Sequence, residues 1–313
     1  LVVDDFVADA AWVREIRSIL TDADASAWRV DRADDLRLRV TAVVTAMRAR
    51  LKDRPSAPER DERTRALVTT MESALPTEPT RARWAAFVGV VHPEYEALVI
   101  SLPGEVAPRT VRPTNYSRSF FHFISAAVGV VAVGLIPSRS VILGIAIAFA
   151  VYAWSMEIGR RRSRRMNEWL MRLYSKVSHP HERYRINSAT WFATALVILA
   201  LIASRPATMA SLAILGVADP VAALVGRRWG RHRLRSGRSL EGMLGFIASG
   251  ALVSALALVL AGELRAPEVV VLALVGATVG AVVELVTTRL DDNLTIPIAV
   301  GGAVTLAASL VHG

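Results

Sequence analysis

From residue 120 onward the chain alternates long apolar stretches with short polar ones. Seven apolar runs stand out, at 120–136, 140–156, 189–204, 207–225, 243–261, 268–286 and 294–311. Each is about 17–20 residues, close to what a helix needs to cross ~30 Å of hydrocarbon. Before residue 115 apolar residues instead recur at helical spacing with charges between them. Leu36, Val40, Val43, Met47 and Leu51 share one helical face, and Trp84, Phe87, Val88, Val91, Tyr95 and Leu98 share another. Prolines at 54–58 and 76–79 cut this part into pieces, as in a small antiparallel bundle. The stretch 102–114, with Pro103, Pro108 and Pro113, reads as a linker. The expected fold is therefore all-α: a polytopic membrane protein with about seven transmembrane helices, preceded by a small soluble helical bundle. Residues 1–114 form the helical domain and linker, and 115–313 the membrane domain.

Charge separates the same two parts. The net charge of +9 is uneven: residues 1–115 hold 17 basic and 18 acidic residues, and the rest of the chain holds 20 and 10. Such an excess can indicate nucleic-acid binding, but here it lies in the loops between apolar runs. With the first domain on one side of the bilayer, the loops 158–188, 226–242 and 287–293 on that side carry 16 basic residues. The opposite turns carry three, Arg139, Arg205 and Arg265. The positive-inside rule then makes the first domain and the basic loops cytoplasmic and places the C-terminus on the far side. The partner is a lipid bilayer, with no nucleic acid. The absence of cysteine excludes a disulfide framework and thiolate-bound metal. Asp4, Asp5 and Asp9 spoil the pattern of a signal peptide.

The polar residues that interrupt this pattern are the candidates for chemistry. Asp219 and Pro220 stand inside the fourth apolar run. A carboxylate in hydrocarbon is costly and usually serves an ion, a proton or a substrate. The proline is expected to break the helix where it lines a cavity. The run then leaves into Gly226-Arg227-Arg228-Trp229-Gly230 and Arg238-Ser239-Leu240-Glu241-Gly242. Glycine lets backbone approach a phosphate, and arginine pairs with it bidentately. No P-loop motif is present.

Glu284 ends the sixth run, and Asp291-Asp292-Asn293 opens the seventh. Adjacent carboxylates suit Mg²⁺ carried with a phosphorylated substrate; the same triplet can also be a turn capping the seventh helix. Arg118 and His122, one turn apart at the first run, suit a phosphate or headgroup, or an interfacial anchor. Glu157 is followed by Arg160 and further arginines, which suits either an ion pair or an anchor on anionic lipid. Glu182 lies in a loop beside His179 and His181, a weak metal signal, and Asn187 can cap the third helix or contact substrate.

Together these residues resemble the family of dolichol (polyprenol) kinases, phytol kinases and CTP-dependent diacylglycerol kinases. The resemblance rests on Arg118 and His122, Glu157 and Arg160, Glu182, and Asp219-Pro-x-Ala-Ala-x-x-Gly226. It continues through Arg228-x-Gly230, Arg238-Ser-Leu-Glu-Gly242, Glu284 and Asp291-Asp-Asn-Leu-Thr-Ile-Pro297, and covers residues 115–313. Ser119, Ala218 and Arg238 depart from the lysine, glycine and lysine usual there. The resemblance implies an enzyme that moves the γ-phosphoryl group of CTP to the hydroxyl of a lipid alcohol. In that reading Asp219, with Asp291 or Asp292, holds Mg²⁺. Arg227, Arg228 and Arg238 bind the triphosphate, and Glu284 or Asp292 takes the hydroxyl proton. The Asp219-to-Gly242 skeleton also looks like that of CTP:phosphatidate cytidylyltransferases. A transporter or scaffold is the non-enzymatic alternative.

Overall fold

A computed structural model describes residues 2–24, 28–53, 58–102, 116–174, 185–232, 234, 238–262, 264–287 and 290–312. They form twelve α-helices and one short 3₁₀ turn, and the chain divides into two compact units, 1–114 with 179–185 and 115–178 with 186–313.

The first unit holds α1 (Val2–Asp22), α2 (Ala33–Asp53), α3 (Pro58–Ala74) and α4 (Arg81–Ile100). Its core is built from large side chains: Ile16, Leu36, Met47, Leu67, Trp84, Phe87 and Tyr95 are essentially inaccessible. Trp84 meets the Phe87 ring edge-on at 5.4 Å. Polar contacts fix the helices around this core. Arg39 of α2 donates to Glu15 (2.7 Å), Ser18 (2.8 Å) and Asp22 (2.9 Å) of α1. Burial of that guanidinium opposes its charge, but its bonds to the Glu15 and Asp22 carboxylates outweigh this and hold its pKa above the ordinary value. Thr80 caps α4 by accepting from the Arg83 N–H. Burial, reinforced by Glu96, pushes the Tyr95 phenol well up.

The second unit holds α5 (Tyr116–Leu135), α6 (Arg139–Arg162), α7 (Arg164–Leu173), α8 (Ser188–Ile202), α9 (Arg205–Trp229), α10 (Leu240–Ala261), α11 (Ala266–Val286) and α12 (Asp292–His312). All seven apolar runs are helical. Six of these helices are long and apolar enough to cross a membrane. The third run falls short of the expected seventh span: α8 has 15 residues, a rise of only ~22 Å. Polar groups bound it, with Asn187 capping its start and Ser204 capping the start of α9 just beyond its end. The expectation of a helix broken at Pro220 is also corrected, because α9 runs unbroken through it for 25 residues. Proline removes a single N–H, the one that would reach the Gly216 carbonyl, and the remaining ladder carries the helix.

Small residues bring these helices together. A Cβ at Gly216 would overlap the Ala126 methyl of α5, and one at Gly250 would lie 3.3 Å from Ala277 of α11 and 3.4 Å from Ala218 of α9. Buried Ser211 of α9 donates to the Pro297 carbonyl of α12 at 3.0 Å. At the end of the unit opposite the basic loops, single arginines satisfy helix C-termini. Arg139 donates to the Ala200 (2.8 Å) and Leu201 (2.6 Å) carbonyls, and Arg205 to those of Val133 and Gly134.

Candidate functional site: a polar junction at one end of the membrane unit

The helix packing gathers seven helix ends. α5 runs antiparallel to α9, with Gly134 near Met209, Gly129 on Leu212 and Ala126 on Gly216. α10 and α11 pack through Gly250–Ala277 and Phe246–Gly280, and α11 and α12 through Gly276 with Val300 and Val304. The starts of α5, α8, α10 and α12 therefore share one end with the finishes of α6, α9 and α11. Every polar candidate among the described residues lies in this half of the unit.

The junction has a charged centre. Arg238, just before α10, pairs through Nη1 with Glu284 at the finish of α11. Through Nη2 it pairs with Asp292 at the start of α12, at 3.0 Å. Both carboxylates are only 4% exposed, whereas Arg238 is 23% exposed. Two buried acids on separate helices thus converge on one guanidinium that still reaches solvent. Removing one member would leave an uncompensated charge in a poorly hydrated place.

A second network lies alongside. Glu157, 1% exposed, accepts from Arg160 (2.7 and 2.9 Å), Arg161 (2.6 Å) and the Asn187 N–H (3.2 Å). Arg160 also donates to Asn167 of α7 at 3.1 Å. Asn187 caps α8 through its side chain. The next residue, Ser188, donates to Asp291 at 3.1 Å, tying this network to the start of α12. Asp291 also accepts from the Asn293 N–H (3.0 Å) and side-chain amide (2.6 Å), and its carbonyl starts the helix. The Asp291-Asp292-Asn293 triplet is thus both a capping turn and, through Asp292, part of the charged centre.

The glycines of the basic segment serve packing. Gly226 and Gly242 face each other across α9 and α10, and the Ser239 hydroxyl sits against Gly226, Gly230 and Gly242 while accepting from the Gly242 N–H. A Cβ at Gly226 would press on that hydroxyl, one at Gly230 would overlap it and the Gly226 carbonyl, and one at Gly242 would be tight against the Ala222 carbonyl. Glu241 receives the His232 N–H and, at 2.7 Å, its Nδ1, holding the loop back onto α10. Arg227 is half-buried, and Arg228 is exposed.

Asp219 is half-buried along α9. Arg118 and His122 lie on α5 one to two turns before Ala126, which the antiparallel register sets alongside the turn of α9 beyond Gly216, where Asp219 stands. Glu182, with His179 and His181, lies outside the described residues. Among the described residues no three His, Cys, Asp or Glu side chains group to hold a metal ion, so Asp219, Asp291 and Asp292 do not form a ready-made cage. Asp291 is engaged by Ser188 and Asn293. The pair Glu284 and Asp292 does fit a cation, because one already sits between them, and two carboxylates match how Mg²⁺ is held when phosphates complete its shell.

Sequence reasoning missed several participants. Ser188 and Asn167 enter the networks, and His232 pins Glu241, whereas Arg161 is one of the arginines after Glu157 that the sequence offers for an ion pair. Ser188 alone carried a signal, a polar residue directly after a predicted cap. No family model, no curated protein and no solved structure matches this chain. Fold and junction by themselves define its class: an all-α polytopic membrane protein with a buried ion-pair junction at one end of its helices.

Proposed function

We propose that the membrane unit is a lipid alcohol kinase that transfers the γ-phosphoryl group of CTP to the hydroxyl of a polyprenol, phytol or diacylglycerol. The observation that carries this reading is the arginine held between two buried carboxylates on separate helices. Such a place accepts a cation, and its own cation can reach outward to a phosphate. Loop charge supports a cytoplasmic position for this end, facing the nucleotide pool.

In this reading Glu284 and Asp292 would hold Mg²⁺, which when bound neutralises triphosphate charge. Arg238 turns from the carboxylates to the triphosphate oxygens, joined by Arg227 and Arg228. Arg118 and His122 orient the phosphates from the α5 side. Asp219, half-buried on a spanning helix, accepts the proton of a lipid hydroxyl that arrives laterally from the bilayer. That oxygen bonds to the γ-phosphorus as the bond to the β,γ-bridging oxygen breaks, leaving CDP. Glu157, Arg160 and Asn187 hold the α6–α8 side in position, and Ser188 transmits that order to Asp291.

The test is transfer of label from γ-labelled CTP or ATP to the three lipid alcohols by the purified protein in detergent–lipid micelles. Label in the organic phase from γ-labelled CTP supports the kinase. Label from α-labelled CTP on phosphatidate supports a cytidylyltransferase instead. Transfer from neither, with no thermal stabilisation by CTP·Mg²⁺, leaves a transporter or scaffold.

A further inference from the structure

Helix α7 has no part in the chemistry proposed above, and its surroundings are unusual. It follows α6, a helix of spanning length, but does not continue it. Ser163 between them is extended (φ −129°, ψ 113°), ends the ladder of α6, and caps α7 by accepting from the Met166 N–H. An extended residue between two helices turns the second away from the axis of the first. The turn is braced twice: Arg160 at the finish of α6 holds Asn167 of α7, and Met166 packs over Gly159.

α7 is two-faced. Met166, Trp169, Leu170 and Leu173 recur at spacings of three and four residues and form one apolar stripe. Leu170 packs inward, but Trp169 is 52% exposed and Leu173 57% exposed, with Tyr174 beyond them at 43%. Arg165 and Arg172, a heptad apart, are exposed on the neighbouring face, and exposed Arg162 precedes them. On α6, Val151, Tyr152 and Ile158 are also exposed. An aromatic and aliphatic stripe flanked by arginines, turned off the end of a spanning helix, matches a helix lying in the plane of a membrane interface. The arginines specify the sign of that surface.

We propose that α7 is an interfacial helix that docks on anionic lipid headgroups, with Trp169 and Leu173 inserted at the headgroup–acyl boundary and Arg162, Arg165 and Arg172 engaging the lipid charge. The inference is independent of the kinase reading.

The chain contains no cysteine, so single-cysteine spin labelling needs no background removal. Leu173→Cys and, as an aqueous control in the first unit, Leu38→Cys are labelled in the full-length protein. They are reconstituted into phosphatidylcholine vesicles with or without phosphatidylglycerol. The expected result is that the label at 173 collides more with oxygen than with a water-soluble nickel chelate, the reverse of the label at 38, and lies deeper when phosphatidylglycerol is present. Arg162→Gln, Arg165→Gln and Arg172→Gln together should abolish that extra depth. A label at 173 as open to the chelate as the label at 38 overturns the docking. A depth indifferent to phosphatidylglycerol overturns the anionic preference. Dipolar broadening that disappears on dilution with unlabelled protein shows a second copy on this face and also overturns the proposal. Trp169→Cys repeats the measurement should Leu173→Cys fail to fold.

Discussion

The two units differ in how many large apolar side chains they leave exposed. The first has its largest side chains inside: Trp84, Phe87, Tyr95 and Met47 fill the core. The second also buries large residues such as Leu199, Leu212, Phe246 and Leu258, with many alanines among them, but Phe120, Leu252, Leu256, Leu260, Leu306 and Leu310 point outward. In water, burying apolar area drives folding, so large side chains turn in. In hydrocarbon that drive between helices is absent, so large side chains can face lipid, and alanine and glycine contacts let the backbones approach closely. Both units bury charged groups: the bundle Asp24, Asp61 and Glu96, and the membrane unit Glu157, Arg160, Glu268, Glu284 and Asp292. A buried charge needs a partner, and each network at the junction supplies one.

This contrast can be broken at graded points. The largest expected effect is on chemistry: Asp219→Asn should reduce phosphoryl transfer to background while the protein still elutes as a folded species. Near-wild-type turnover would remove Asp219 from the mechanism. Next comes the bundle core, where Trp84→Ala should cost roughly 3–5 kcal/mol in denaturant melts. Leu252→Ala, at 72% exposure in the membrane unit, should change stability in lipid micelles by no more than about 0.5 kcal/mol. Equal costs would abolish the contrast. Glu157→Ala strands buried Arg160 and should cost about 3–5 kcal/mol, seen as a lower thermal midpoint in detergent. Gly216→Ala should cost about 1–3 kcal/mol through overpacking against Ala126. Gly302→Ala, where a Cβ meets nothing within 4 Å, should be neutral. A modest effect is expected at Thr80, whose change to alanine should lower bundle stability by about 1 kcal/mol through loss of the α4 cap.

Much of the fold was legible because the signals are local. Each apolar run became a helix, and Leu36, Val40, Val43 and Met47 entered one core with Trp84, Phe87, Val88, Val91, Tyr95 and Leu98. Two readings failed for physical reasons. Run length overstated α8, because polarity at Asn187 and Ser204 ends the helix sooner than hydropathy suggests. Pro220 did not break α9, because one missing N–H does not outweigh the rest of the ladder. The candidate site was legible as a set of residues but not as a set of pairs. Arg238 is 46 positions from Glu284 and 54 from Asp292, and no local pattern records that they meet. The glycines at 226, 230 and 242 read as a phosphate cradle, yet their space is filled by Ser239 and by one another.

By itself the sequence determined the helices, the division into a bundle and an apolar unit, and the concentration of charge in particular loops, because helix periodicity and hydropathy act within a few turns. Only the tertiary structure decided which acid meets which arginine, which glycines are contact points, and that α7 turns off α6 with its apolar stripe exposed. Those outcomes depend on where distant helices cross, and a crossing is set by the shapes of two surfaces that neither stretch of sequence contains alone.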